Sequence, residues 1–127
     1  RRRSVETAQA VAGPRGFTAE PVMIEAPLPP PRWPAFLKLK PRTWGVIART
    51  AWWFFDLHRG RETRADAKRR AQAAADRLEG LATGGDVLVL AHGFFNAMVG
   101  LELKRRGWRR VTNEGYRYWS ARRYVRR

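Results

Sequence analysis

With 127 residues and a mass of 14.7 kDa the chain is the size of one domain, able to bury one core and too small for two, and its 44% hydrophobic and 12% aromatic content excludes a disordered polymer. Twenty-six basic against eleven acidic residues leave a net charge of +15, nearly all of it on arginine; that suits a partner bearing phosphate or carboxylate oxygens, and equally suits a solvated arginine-rich surface. The absence of cysteine excludes disulfides, thiolate metal sites and a cysteine nucleophile.

In chain order, "RRRSVETAQAVAGP" places Val5, Ala8 and Ala12 on one helical face and stops at Gly13-Pro14, the pattern of a short amphipathic helix. The arginines at the start have no apolar stretch behind them, so no signal-peptide pattern is present. "PVMIEA" reads as a short strand ending near Glu25. "PLPPPRWP" then imposes an extended, polyproline-like path. Beyond Pro41 a second helix carries Trp44, Ile47, Ala51, Trp52 and Phe55 and is apolar nearly all round, so it needs cover on more than one side. The window from Trp44 to Leu57 is too short to cross a bilayer and holds Arg49 at its middle.

A third helix follows, opened by Thr63 with Asp66 in capping-box spacing. Ala67, Ala71, Ala74, Leu78 and Leu81 form its stripe, and Gly84-Gly85 end it. An alanine stripe allows close approach to a sheet. "DVLVLA" has the length and continuous apolarity of a strand covered on both faces. From Phe94 the period becomes helical, with Phe94, Ala97, Met98 and Leu101 on one face and Lys104, Arg105 and Arg106 in the last turn, where the helix dipole favours cations. "GYRYWSARRYV" alternates aromatic and basic residues and reads as a final strand, placed at an edge. This alternation predicts an α/β fold, with helices layered on a mostly parallel sheet.

In such sheets ligands bind at the carboxyl ends of strands, beside the starts of the following helices. His92 and Gly93 fall there, where backbone N–H groups favour an anion and glycine leaves the imidazole uncrowded. A histidine at that place can also cap a turn or satisfy a buried hydrogen bond. His58, in "DLHRGRE", reads as a solvated loop residue. A lone glutamate such as Glu25 is ordinarily solvated, and Arg3 at a helix start is a weak pointer to an anion.

The stretches "RRSVETAQAVA", "MIEAPLPPPRW", "GRETRADAKRRAQAAADRLEGLA" and "GDVLVLAHGFFNAMVGLELKRRGWR" together resemble, in order, the histidine phosphatase superfamily, the phosphoglycerate mutase-like proteins. The resemblance implies a three-layer α/β/α sandwich and phosphoryl transfer through a phosphohistidine. By this resemblance Arg3 grips phosphoryl oxygens, Glu25 is the acid for the leaving oxygen, and His92 is the second histidine, hydrogen-bonded with Gly93 to the transferring group. Trp33 and Asn96 are substrate-pocket candidates, and residues 26–60, rich in proline and tryptophan, form a cap insertion within a single domain spanning residues 1–127. Trp44, Trp52 and Trp53 are cap or pocket-wall candidates as well as packing residues.

The family's nucleophile, a histidine in an Arg-His-Gly motif on the first strand, has no counterpart here, and His58 stands in the wrong place to supply it. With Arg1 as the first residue, the chain therefore reads as the C-terminal portion of a longer enzyme, and the isolated portion is expected to be marginally stable or prone to aggregate. The expected activity is that of a phosphatase on small phosphate esters, with a phosphorylated small molecule as partner, no cofactor, no metal and a cytoplasmic location. Two other readings stand beside it: a pseudoenzyme that binds a phospho-ligand, and a module for nucleic acid or an anionic membrane. The last rests on the stretch from Leu101 to Arg127, which has ten basic and two acidic residues interleaved with Trp108, Tyr116, Tyr118, Trp119 and Tyr124.

Overall fold

The computed structural model describes residues 2–24, 40–55, 62–115, 117 and 119–126. Four helices, α1 (Arg2–Ala12), α2 (Pro41–Phe55), α3 (Arg64–Ala82) and α4 (Gly93–Arg105), precede two strands, β1 (Arg109–Asn113) and β2 (Arg122–Val125). The contacts divide the chain into two units, one of Arg1–Glu25 with Arg70–Arg127 and one of Ala26–Arg69.

In the second unit, Pro41 occupies the first position of α2, where its missing N–H breaks no helical bond. Trp52 is buried to 1% exposure and donates its indole N–H to the Glu62 carbonyl at 3.1 Å, which satisfies the one polar atom of a large apolar side chain. Arg64 donates to the Trp53 carbonyl at 2.6 Å, and the Lys68 ammonium lies 5.6 Å from the Trp53 ring centre. The expected burial of Phe55 does not occur. It is 75% exposed and its neighbour Phe54 70%, because the apolar character of this helix runs around its whole circumference and only part of it is covered.

In the first unit, α1 buries none of its residues. The alanine stripe of α3 is fully covered at Ala71, Ala74 and Ala75, together with Phe95, Met98, Val99 and Leu103 of α4. Leu81, expected at the end of that stripe, is exposed instead. The face that α4 buries is rotated from the expected one: Phe95 takes the place of Phe94, and Leu101 faces solvent. A sequence apolar at nearly every position does not select a face by periodicity.

The C-terminal end of α4 is closed in two ways. Gly107, at a φ of +93, donates to the Lys104 carbonyl at 3.0 Å while Trp108 donates to the Leu103 carbonyl at 3.0 Å, the paired bonds of a Schellman motif that needs a left-handed residue at this position. The Arg106 guanidinium then ties α4 to α3. It donates to Asp76 at 2.5 Å and Glu79 at 2.9 Å, to Glu102 at 2.9 Å and to the Gln72 carbonyl at 3.2 Å. Trp108 adds an indole N–H to Glu79 at 2.7 Å, and Arg126 a guanidinium N–H at 3.1 Å. Hydrogen bonds from Arg105 and Arg106 hold the Glu102 carboxyl down at about 2, and bonds from Trp108 and Arg106 lower that of Glu79.

β1 and β2 pair antiparallel, with Arg109 opposite Val125, Arg110 opposite Tyr124, Thr112 opposite Arg123 and Asn113 opposite Arg122, interrupted by an irregularity at Val111. The hairpin sits on α4 through Tyr124, whose hydroxyl lies against Gly100 where any Cβ would overlap it.

The described residues leave the expected sheet undisplayed and correct the reading of individual segments. Their only sheet is this antiparallel pair, so the three-layer sandwich with a mostly parallel sheet is not displayed. The segment predicted as a strand before Glu25 is a 3-10 turn, Pro21–Met23, opened by a proline that fixes a turn-like φ. Residues 86–92 form no strand, and Val87 and Leu88 are exposed. A strand exists through the ladder bonds of a neighbour, and no described strand lies beside this one. The final strand is also shorter than expected, since the loop before Arg122 is not part of it. The proline-rich segment, residues 26–39, lies outside the described residues.

Candidate functional site

His92 is the N-cap of α4, with extended backbone (φ −92, ψ 145), and its side chain makes no capping bond. Its carbonyl accepts the first helical bond, from the Asn96 N–H at 2.9 Å. The imidazole is therefore not committed to the helix it starts, in contrast to the usual Ser, Thr, Asp or Asn at such a place.

The ring turns instead toward the start of α1: His92 Nε2 and Ser4 Oγ lie 3.4 Å apart, half-buried. This brings together two segments separated by 88 residues in sequence. Arg3 stands next to Ser4 on α1. Its carbonyl accepts a bond from the Thr7 hydroxyl at 2.9 Å, while its side chain is exposed. Arg2, one residue earlier, is occupied by Glu6 at 2.9 Å.

Gly93 follows His92 as the first residue of the helix. A Cβ there would meet no atom within 4 Å, so the space beside the helix start is open among the described residues. Helix N-termini direct unpaired N–H groups and the positive end of the dipole outward, which favours a bound anion. Asn96, one turn on, is half-buried. The structure thus groups His92, Gly93 and Asn96 at one helix start, with the beginning of α1 against the imidazole. Glu25, Trp33 and His58 lie outside the described residues.

Two residues were missed by reading the sequence. Ser4 is one, and its only signal is adjacency to Arg3. Arg70 is the other. Its guanidinium donates to the Val22 carbonyl at 3.0 Å and to the Ile24 carbonyl, and it stacks 4.0 Å from the ring centre of Phe95. It connects the residue before Glu25 to the first turn of α4. In sequence it is one cation in "AKRRAQ", indistinguishable from a solvated face.

Among the described residues no three or more His, Cys, Asp or Glu side chains gather in a way that could hold a metal ion, and no helix is long and apolar enough to cross a membrane. The family model for the histidine phosphatase superfamily (branch 1) matches residues 1–115. No curated protein and no solved structure matches the chain.

Proposed function

The chain belongs to the histidine phosphatase superfamily, an α/β family of phosphoryl-transfer enzymes, and we propose that it serves in the hydrolysis of small phosphate esters through a phosphohistidine. The observation that carries this reading is the approach of α1 to the histidine that starts α4. A superfamily site needs an arginine-bearing helix start and a strand-end histidine at one place, and no local interaction would bring them there.

In this mechanism the phosphoryl group sits at the α4 N-terminus. Its oxygens take hydrogen bonds from His92 and the backbone at Gly93, and charge from Arg3. The attacking nitrogen belongs to the superfamily's Arg-His-Gly histidine, which is not among these 127 residues. Its bond to phosphorus forms as the ester P–O bond breaks, and Glu25 gives its proton to the leaving oxygen. Water then attacks the phosphohistidine, Glu25 takes a proton from that water, and inorganic phosphate leaves. His92 stabilises the charge that builds on the equatorial oxygens in both steps.

The fold that goes with this reading is a three-layer α/β/α sandwich with a mostly parallel sheet. Asn96, one turn into α4, lines the pocket that selects the ester.

Hydrolysis of p-nitrophenyl phosphate by the full-length protein tests the reading. His92→Ala and Arg3→Ala should each reduce turnover by roughly 10²-fold or more, and unchanged turnover in both removes the assignment. Stoichiometric binding of inorganic phosphate without any turnover assigns the chain to the pseudoenzymes instead.

A further inference from the structure

The family match ends at residue 115, and the hairpin tip and β2 lie beyond it. Their structure is unlike that of a solvated tail. Trp119, in the tip, is 81% exposed at a φ of +62, the only positive φ among the described non-glycine residues. A bulky side chain in this region is unfavourable, so the surrounding loop must hold it there. The bonds that do so are present. Glu114 N–H donates to the Ala121 carbonyl at 3.1 Å and Ser120 N–H to the Arg117 carbonyl at 3.2 Å. The Ser120 hydroxyl and the Arg122 guanidinium both donate to the Gly115 carbonyl, at 3.0 and 2.6 Å. The Glu114 carboxylate accepts from the Ala121 N–H at 2.7 Å. A large aromatic ring is thus displayed to solvent by a knitted loop.

The strands below it are cationic. Tyr124 faces α4, so Arg123 and Val125 point to the other face, and their cross-strand partners Thr112 and Arg109 share it. Every β1 residue is exposed, as are Arg117 and Arg123. Two hairpin arginines are committed within the fold, Arg122 to Gly115 and Arg126 to Glu79. Arg109, Arg110, Arg117 and Arg123 form no ion pair with the described residues, and the hairpin's one carboxylate, Glu114, is already engaged. Arg109 and Arg123 are offset by two residues along β2, roughly 7 Å along the strand.

We propose that the β1–β2 hairpin is a docking surface for single-stranded nucleic acid, with a base stacked on Trp119 and phosphates held by Arg109, Arg117 and Arg123. The chemistry selects this polyanion over a lipid surface. Insertion into a bilayer calls for an apolar face, whereas the outer face of this hairpin carries Arg109, Thr112 and Arg123 beside a single valine. One ring with flanking guanidinium groups is what stacking on a base and tracking a backbone require.

The test is fluorescence anisotropy of a labelled oligouridine with the full-length protein across a salt series, repeated with vesicles containing phosphatidylserine as competitor. Trp119→Ala should weaken binding about tenfold, and Trp119→Tyr should restore most of it. Trp119→Gly relieves the positive φ, so it should bind as weakly as the alanine variant while melting at a higher temperature. The Arg109→Ala, Arg123→Ala double variant should reduce the slope of log affinity against log salt by about 1.4. His92→Ala should bind like the wild type. Wild-type affinity in both the Trp119→Ala and the double-arginine variants, no binding of the oligonucleotide, or binding to the vesicles that the oligonucleotide does not displace would each overturn the proposal.

Discussion

The start of α3 is closed by its own sequence. The Thr63 hydroxyl accepts the Asp66 N–H at 3.0 Å and donates to the Asp66 carboxylate at 2.7 Å, which also accepts the Thr63 N–H at 3.2 Å. The start of α4 has no such closure, because His92 makes no side-chain capping bond and its ring lies against Ser4. Both positions start helices, of 19 and 13 residues, yet one spends its side chain on its own helix and the other turns it toward α1. The difference teaches where to look for chemistry: a position that forgoes a stabilising cap, in a helix otherwise tightly fixed, is set by something other than stability.

The strongest way to break this comparison is to give α4 the cap it lacks. His92→Ser should raise stability by about 0.5–1 kcal/mol while reducing turnover of the full-length protein about 10²- to 10³-fold. Urea unfolding and p-nitrophenyl phosphate hydrolysis on the same preparation would read both. If serine keeps the activity, His92 is only a helix start.

The other end of α4 provides the contrast within one helix. Arg106→Ala removes the cation that Asp76, Glu79 and Glu102 share, and should cost about 2 kcal/mol of stability. Arg106→Lys should recover little of it, since an ammonium cannot span three carboxylates and a carbonyl. Acid should act on the same network. The Glu102 carboxyl is held at about 2, from an ordinary 4.5. Its contribution is therefore complete above pH 4.5 and is lost as the pH falls toward 2, on the order of 1 kcal/mol after screening by water. Urea unfolding between pH 5 and 2.5 should show this loss in the wild type and a shallower one in Arg106→Ala.

What was legible in the sequence divides along the same line, between local and non-local causes. The capping box, the α3 alanine stripe and the glycine stops need only neighbours within a turn or two, and the structure keeps them. The face buried by α4 depends on Tyr124 against Gly100 and Arg70 over Phe95, partners at 24 and 25 residues' remove, and "GFFNAMVGLEL" could not reveal them. "DVLVLA" has a strand's composition, but a ladder requires a second strand. β1 was missed altogether because "RRVTN" is short and polar, and it becomes a strand only through β2. At the site, a glycine after a strand-like run exposed His92 to reading, whereas Ser4 and Arg70 become visible only when the chain is folded.

The smallest expected effect sharpens the comparison from the capped side. Thr63→Ala removes the hydroxyl that satisfies the Asp66 N–H, and should cost about 1 kcal/mol. The Thr63 hydroxyl is also the largest influence lowering the Asp66 carboxyl, so in this variant the Asp66 pKa should move back toward 3.8, a shift that carbon-detected NMR titration of the side-chain carboxyl can follow. Because the native carboxyl is depressed, its support for the helix is present above 3.8 and lost on acidification below it, and the variant should show less of that acid dependence. Turnover should not change, since the pair holds a helix start and has no substrate to bind. A Thr63→Ala variant with wild-type stability and an unmoved Asp66 would mean that α3 is held without its cap, and the absence of one at His92 would then carry no information about function.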